Sequence, residues 1–424
     1  MSQPVESEAA PTPHRSLWRD GNFLTMWSGQ ALSQFGAQIT ELALPVLAVL
    51  LLQATEFDVG LLGAAGTAAF LLVGLPAGAW IDRLRKRHVM IVADVIRAVA
   101  LAALPLLWWA GLLQIWHMVL VALVMGVATV FFDVSYQSVV PSLVPADHIA
   151  EANGKLESTA QLAGIAGPAA GGWLIGVITA PFAVLVTAVT YLLSAGALLR
   201  TRDSELIAAR HDHDPLVASI REGLRWVFGN VHLRRIVGTT GVSNFFSTIT
   251  FTLLPIFLLR TLGLSPAQMG VIFAVGAVGG FVGALVTPRI LRRLGEARTI
   301  PASAIVFSLI ALLLPAAVAV PAIAFPLLLV QSFLGTFSVL LYNITQVTFR
   351  QRITPPRLLG RMNASIRFCV WGVMPIAALL AGALGTWLGV PTTMWIAAAG
   401  ALASALFVIT GPFWRMRELP MPGD

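Results

Sequence analysis

Two carboxylates stand inside otherwise apolar stretches of this 424-residue chain. Glu41 lies near the middle of the first stretch, and Asp133 lies in the fourth. An acid in apolar surroundings favours its neutral form, while contact with water or a cation favours ionisation. Each is therefore a candidate proton-coupling residue. Asp94, Arg97 and Arg367 lie closer to the ends of their stretches, where structural ion pairs are the simpler interpretation.

A row of amides accompanies Glu41. Gln30, Gln34 and Gln38 recur at every fourth position, and Glu41 follows three residues later. Residues at this spacing share one face of a helix. A polar face on an apolar helix indicates that the helix lines a central cavity. Further polar residues in later stretches are expected to line the same cavity: Asn244, Asn343 and Gln346.

The elements that position these side chains are predicted to be membrane-spanning helices. Hydrophobic residues make up 57% of the chain and charged residues 11%, with a mean hydropathy of +0.83; a soluble domain has about 25% charged residues. The apolar runs are continuous and match helices that cross a hydrocarbon core of about 30 Å. The expected fold is an all-α membrane protein with twelve transmembrane helices, at 22–53, 57–81, 88–111, 114–143, 150–176, 179–200, 232–260, 266–289, 298–319, 321–350, 358–388 and 391–414.

Loop charges predict the orientation. Basic residues are concentrated in the loops after spans 2, 6, 8 and 10, whereas the opposite loops carry Glu56, Asp58 and the single basic residue Arg260. By the positive-inside rule, the chain is expected to be a multi-pass protein of the cell membrane with both termini cytoplasmic. The predicted organisation is a cytoplasmic tail, a six-helix half, a cytoplasmic central loop, a second six-helix half and a cytoplasmic tail, at 1–21, 22–200, 201–231, 232–414 and 415–424.

The two halves repeat at a constant offset. A shift of 210 residues aligns three pairs of similar residues: Asp133 with Asn343, Pro145 with Pro355, and Asn153 with Asn363. Transporters built from two parallel repeats bind their ligand between the halves, near the middle of the membrane. The repeat therefore predicts two pseudo-symmetric halves with the cavity between them.

The stretch that joins spans 2 and 3 combines a glycine, an acid and a basic cluster. Gly78 permits close approach of two helices, and Asp82 at the cytoplasmic edge favours the N-terminus of a neighbouring helix. The spacing from Gly78 to Asp82 and Arg83 resembles the signature loop of major facilitator transporters, with Arg85 in place of a second glycine. The resemblance implies that the partner helix is span 11 and that the loop is a conformational latch of Gly78, Asp82, Arg83 and Arg361.

Span 5 carries small residues around a proline: Gly154, Gly167, Pro168, Gly171 and Gly172. Small residues allow tight helix contact, and an internal proline bends its helix. The run is similar to the antiporter motif of drug exporters in the same superfamily, with Ala163 at one usual glycine position. This resemblance favours export over import.

From residue 22 to 415 the chain resembles the drug-and-macrolide-efflux branch of the major facilitator superfamily. Besides the two motifs, the resemblance lies in residues 24–30, 33, 43–45, 141–145, 152–153, 342–343 and 360–364. Such proteins export hydrophobic drugs, or siderophores, in exchange for protons. The resemblance thus implies secondary active, proton-coupled efflux of amphiphilic small molecules by alternating access.

Other functions are less well supported by the residues. A siderophore or lysophospholipid carrier of the same fold is the alternative cargo class, and a membrane-embedded lipid enzyme is the alternative from another class. The sequence has no nucleophile–base pair, no Cys/His metal cluster and no phosphate-binding GxxxxGK[ST] loop, so no catalysis, metal, cofactor or ATP is expected. The net charge of +7 comes from loops between apolar spans, so nucleic acid is not an expected partner.

Overall fold

The computed structural model describes residues 17–73, 80–81, 84–145, 148–202 and 216–416. Its main helices are α1 (Gly21–Val46), α2 (Glu56–Leu72), α3 (Lys86–Trp109), α4 (Ile115–Leu143), α5 (Ile149–Ile178), α6 (Ala180–Arg200), α7 (Leu216–Gly229), α8 (Val231–Ile256), α9 (Pro266–Leu294), α10 (Glu296–Ala311), α11 (Ala324–Ile353), α12 (Pro356–Trp371), α13 (Met374–Leu388) and α14 (Val390–Ile409). Short helical turns at Leu313–Ala316, Ala317–Ala319 and Pro321–Ile323 lie between α10 and α11.

The predicted membrane architecture is confirmed. Among the described residues, eleven helical segments are long and apolar enough to cross a membrane. The second predicted span is seen as the 17-residue helix α2, and residues 74–79 of that span lie outside the described residues. With α12 and α13 together forming one span, these elements account for the twelve predicted spans, with boundaries that agree to within a few residues wherever the structure describes them.

Capping residues determine where several helices begin. Asp20 accepts hydrogen bonds from the backbone nitrogens of Asn22 and Phe23, at 2.8 and 3.0 Å, at the start of α1. Thr55 before α2 and Ser265 before α9 each form a reciprocal capping box with the residue three places later. Such caps satisfy backbone N–H groups that have no partner within the helix, and each contributes about 1 kcal/mol.

The internal repeat extends through the fold at the predicted offset. Helix α8 begins and ends 210 residues after α1, and both helices continue into a π-helical turn, at Leu47–Leu51 and Phe257–Thr261. The reversals before α6 and α14 also correspond, because Thr179 and Gly389 both have positive φ, at 69° and 81°. The two halves are therefore copies of one six-helix unit.

Two helix crossings join the halves: α2 packs on α13, and α5 packs on α9. Glycines face each other at both, Gly60 against Gly382 and Gly172 against Gly270. A Cβ on Gly172 would lie 2.6 Å from the backbone oxygen of Pro266, so this approach requires glycine. The 210-residue shift converts one glycine pair into the other, which makes the two crossings symmetry copies.

The apolar core shows where the halves are joined. One buried cluster, with members such as Leu47 and Leu254, draws on both halves and lies towards the end predicted to be extracellular, here named the outer end. Two other large clusters of described residues, around Phe132 and around Phe349, each belong to one half and lie towards the opposite, inner end. The halves therefore share a core at the outer end and have separate cores at the inner end.

Arg260 adds a polar tie at the outer end. It lies in the π-helical turn after α8, and its guanidinium donates to two backbone oxygens of the other half: Nη1 to Ala54 and Nη2 to Val49, both at 2.6 Å. Hydrogen bonds from a charged group are among the stronger ones in proteins. Arg260 therefore joins the two halves beside the end of α1.

The helix α7 occupies part of the predicted central loop. One side of it packs on α12, with Gly223 against the backbone of Arg361, and Val227 is buried. Trp226 Nε1 also donates to Thr354 Oγ1 at 3.3 Å. The segment that follows residue 215 is therefore attached to the second half.

Candidate functional site

A cavity of about 580 Å³, here named the central cavity, lies where both halves meet. From the first half its wall contains Gln38, Glu41, Leu42, Gly164 and Pro168. The larger part of its wall comes from the second half, on α8, α9, α10, α11 and α14. Its volume falls within the range of about 300–1,000 Å³ typical of small-molecule sites.

Helix α8 presents a row of small polar residues to the central cavity: Thr240, Ser243, Asn244, Ser247 and Thr250. Their spacing of three or four residues, with one adjacent pair, places them on one helical face. The hydroxyl of Thr240 lies 2.8 Å from the Ile236 carbonyl and 3.0 Å from Tyr342 Oη, and Thr250 donates to the Phe246 carbonyl at 3.2 Å. These two hydroxyls are satisfied by neighbouring groups of the protein, so an apolar ligand beside them leaves no unpaired group.

Glu41 is the only acidic or basic residue among the described residues that line the central cavity. Its side chain is exposed to the cavity, and no described residue forms a hydrogen bond or ion pair with it. Its position depends on the close packing of α5 on α1, because a Cβ on Gly167 would lie 2.5 Å from Gln38 Cβ. The carboxylate is thus free to take up a proton or a cationic ligand.

The other predicted cavity residues divide into two groups. Gln38, Asn244 and Asn343 line the central cavity together with Glu41, whereas Gln34 and Gln346 are not among its lining residues. Gln346 is 3% exposed and donates from Nε2 to Asn343 Oδ1 at 3.4 Å. The amide of Gln346 therefore supports a lining residue from behind, and its role in binding remains a prediction.

Asp133 lies in α4, away from the lining of the central cavity, and its side chain is exposed. The neighbouring buried charges form a separate group: Arg97 Nη2 lies 3.4 Å from Asp94 Oδ1. The Arg97 guanidinium is also 4.1 Å from the ring centre of Phe132 and 4.9 Å from that of Tyr191. Asp94 and Arg97 thus form an ion pair inside the first half, which agrees with the structural interpretation of these two residues.

Three of the four predicted latch residues, Gly78, Asp82 and Arg83, lie outside the described residues. The fourth, Arg361, forms an ion pair with Glu222 of α7. This contact fastens α7 to the first turns of α12, at the inner end of the second half. The latch itself therefore remains a prediction.

The small residues of the antiporter-like motif have different surroundings. Gly167 and Gly171 lie against α1, where a Cβ would approach Gln38 and Ile39. Gly172 lies against α9 of the other half, Pro168 lines the central cavity, and a Cβ on Gly154 would have no atom within 4 Å. The motif thus brings α5 close to α1 and to α9 beside the cavity, which agrees with the packing expected of it.

Sequence reasoning missed most of the wall that the second half provides. Besides the polar row on α8, that wall includes Gln331, Ser332 and Thr336 of α11 and the ring of Phe273. Most of the polar residues recur at intervals of three or four along their helices, so the same spacing argument that identified the amides of α1 applied to them. The sequence did single out Arg260, because it is the one basic residue in the loops predicted to lie at the outer end.

Comparisons with known proteins place these features in a family. The family model of the Major Facilitator Superfamily matches residues 26–375. Among similar proteins, the Multidrug efflux pump Tap of Mycolicibacterium fortuitum is 26% identical over 406 residues, covering 91% of this chain and 94% of that protein. Macrolide efflux protein A of Streptococcus pyogenes is 22% identical over 405 residues, covering 94% of this chain and 97% of that protein.

Solved structures share the fold. A bacterial homologue of iron transporter ferroportin, in an inward-facing state, superimposes with a TM-score of 0.72 at 16% identity. The superposition covers 93% of this chain and 99% of that one. At this identity the likeness bears on the fold, and it agrees with the twelve-helix arrangement derived from the sequence.

Proposed function

This chain belongs to the Major Facilitator Superfamily, and we propose that it exports cationic amphiphilic small molecules, such as drugs, in exchange for protons. It is a multi-pass membrane transporter and not an enzyme. The proposed location is the cell membrane, with both termini cytoplasmic. Its relatives named as multidrug and macrolide efflux proteins support the cargo class.

The observation that carries the proposal is the solitary carboxylate of Glu41 in the central cavity. The other described lining residues are either apolar or polar without a charge. A cationic amphiphile fits this wall, because its apolar body contacts the rings and aliphatic side chains while its charge meets Glu41. A proton and such a cargo compete for the same carboxylate, and this competition couples their movements in opposite directions.

Alternating access requires that the halves open first at one end and then at the other. The shared core, the glycine crossings and the Arg260 tie close the outer end, while the cores are separate at the inner end. Glu41 in this state takes up cargo from the inner side and gives up its proton there. Opening at the outer end then exposes it to a new proton, which displaces the cargo.

Asp133 is the second proposed proton-coupling residue. It lies outside the lining of the central cavity, so a direct exchange between proton and cargo at this carboxylate is not favoured. Its proposed part is a separate protonation step on α4 that follows the movement of the halves. Variants of Asp133 and Glu41 therefore differ in their effect on cargo binding.

The alternative cargoes fit less well. A lysophospholipid carries a phosphate, and recognition of a phosphate uses Arg or Lys. No Arg, Lys or His is among the residues that line the central cavity in the described part of the chain. A siderophore that carries iron as an anionic complex would also find no basic residue in this described lining, and Glu41 would repel it.

Transport into inside-out vesicles tests the proposal. A panel containing a lipophilic cation, a macrolide and a lysophospholipid is offered with and without a pH gradient. We expect gradient-driven uptake of the cation, and its loss in Glu41→Gln. Glu157→Gln is the matched control, because Glu157 is an exposed acid of α5 outside the cavity lining. Gradient-driven uptake that persists in Glu41→Gln removes Glu41 from the mechanism and leaves Asp133→Asn as the next variant to measure.

A further inference from the structure

A second cavity, of about 710 Å³, lies on the outside of the second half, and we name it the lateral groove. It is lined by α7, α8, α14 and the junction of α12 and α13. Two of its rings, Phe228 and Phe407, are 51% and 43% exposed, so the groove opens to the surroundings of the protein. None of its lining residues belongs to the central cavity.

Glycine backbone forms part of the floor of the lateral groove. Helices α13 and α14 join at Gly389 at the outer end; Phe407 lies near the inner end of α14, and Cys369 lies in the last turn of α12. On α8, Gly238 lies beneath the Phe407 ring, where a Cβ would be 2.8 Å from Cδ1, and Gly241 follows three residues later. A Cβ at Gly241 would have no atom within 4 Å, so the space above it is empty. The groove can accept an apolar chain over Gly241.

One end of the lateral groove is basic. Arg234 is exposed, and Arg235 donates from Nη1 to the Phe407 carbonyl at 2.8 Å and to Thr410 Oγ1 at 3.1 Å. Arg235 Nε is buried and has no hydrogen-bond partner among the described residues. The first turn of α8 contains no acid. The N-terminus of a helix carries a partial positive charge, which adds to the charge of the two arginines. This end of the groove therefore attracts an anion.

The length of the lateral groove matches one leaflet of a bilayer. From Arg234 to Phe245 the helix rises about 17 Å at 1.5 Å per residue, and half of a hydrocarbon core is about 15 Å. The arginines therefore stand at headgroup depth when Phe245 is near the middle of the membrane. We propose that the lateral groove binds one anionic phospholipid of the inner-end leaflet, with its phosphate at Arg234 and Arg235 and an acyl chain over Gly241.

The charge of the groove distinguishes this occupant from a transported cargo. A cationic amphiphile would meet two guanidinium groups and no carboxylate among the described lining residues. A neutral phospholipid would fill the apolar part and would gain less from the arginines. Phosphate on a lipid with net negative charge satisfies both parts of the groove.

Native mass spectrometry of the purified protein tests the site. The protein in mild detergent is mixed with phosphatidylglycerol or phosphatidylcholine, and retained lipids are counted. We expect wild-type protein to retain phosphatidylglycerol in preference. Arg234→Gln should weaken retention about fivefold, since a basic residue near a membrane surface contributes about 1 kcal/mol towards an anionic lipid. Gly241→Leu should weaken it by filling the groove with the charges intact.

The controls separate a specific site from lipid that coats any membrane protein. Arg293→Gln removes another exposed arginine at the inner end that does not line the groove, and it should leave retention unchanged. Size-exclusion profiles and thermal unfolding establish that each variant is folded. If Gly241→Leu does not fold, Arg234→Gln, at an exposed position, still tests the site. Equal retention of the two lipids by wild type, or equal retention of phosphatidylglycerol by Arg234→Gln and Arg293→Gln, overturns the proposal.

Discussion

Replacing Arg260 should release the outer end of the transporter. In Arg260→Gln, two hydrogen bonds from a charged group to the oxygens of Val49 and Ala54 are lost, both 2.6 Å long in the wild type. Such bonds contribute about 1.5 kcal/mol each at the lower end of their range. Because the guanidinium is only partly buried, water replaces part of this, and about 1.5 kcal/mol remains. The ratio of outward-open to inward-open protein should rise about tenfold.

Thiol labelling from outside the cell measures this shift. Cys369 is the only cysteine, so it is first replaced by serine, and Ser247 in the central cavity is then replaced by cysteine. A membrane-impermeant maleimide should label Ser247→Cys slowly in the otherwise wild-type background and faster when Arg260→Gln is added. Arg293→Gln, at the inner end, is the matched control for charge. Equal labelling rates in the Arg260→Gln and Arg293→Gln backgrounds would refute the assignment of Arg260 as an outer tie.

Three further predictions concern packing, the central segment and the latch. Gly172→Leu should abolish vesicle transport by forcing α5 away from α9, whereas Gly176→Leu, with no atom within 4 Å of a Cβ, should transport normally; equal activity would contradict the crossing. We expect the central loop to act only as a tether between the halves, so a chain cut between residues 202 and 216 should yield two parts that transport when co-expressed; parts that never co-purify would contradict this. Asp82→Asn should slow transport while equilibrium cargo binding stays close to wild type, and a large loss of binding in folded protein would argue against a latch.

The sequence predicted the scaffold well because membrane helices follow a strong physical rule. Long apolar runs must be helical in lipid, since the backbone has no other hydrogen-bond partners there. The repeat was visible in a few pairs such as Asp133 and Asn343, and its 210-residue offset also relates Gly60 to Gly270 and Gly172 to Gly382. Close helix contacts at these glycines needed the structure, because small residues are common throughout membrane helices.

The candidate site was predicted only in part, for a reason of geometry. The spacing identified the helical face that Gln34, Gln38 and Glu41 share. Only part of that face borders the cavity, and Gln34 is not among the lining residues. In the same way Gln346 lies behind Asn343 at a distance of one helical turn. Which residue of a polar face meets open space depends on how the two halves pack, and that information is spread over both halves of the chain.

The central claim is that proton and cargo compete at Glu41, and proton release on cargo binding tests it most directly. Purified protein in weakly buffered solution with a pH indicator is titrated with a lipophilic cation. The account predicts that wild-type protein releases protons as the cation binds, and that Glu41→Gln, with its fold intact, releases none. Asp133→Asn should still release protons at this step. Proton release from Glu41→Gln equal to that of wild type would contradict the claim.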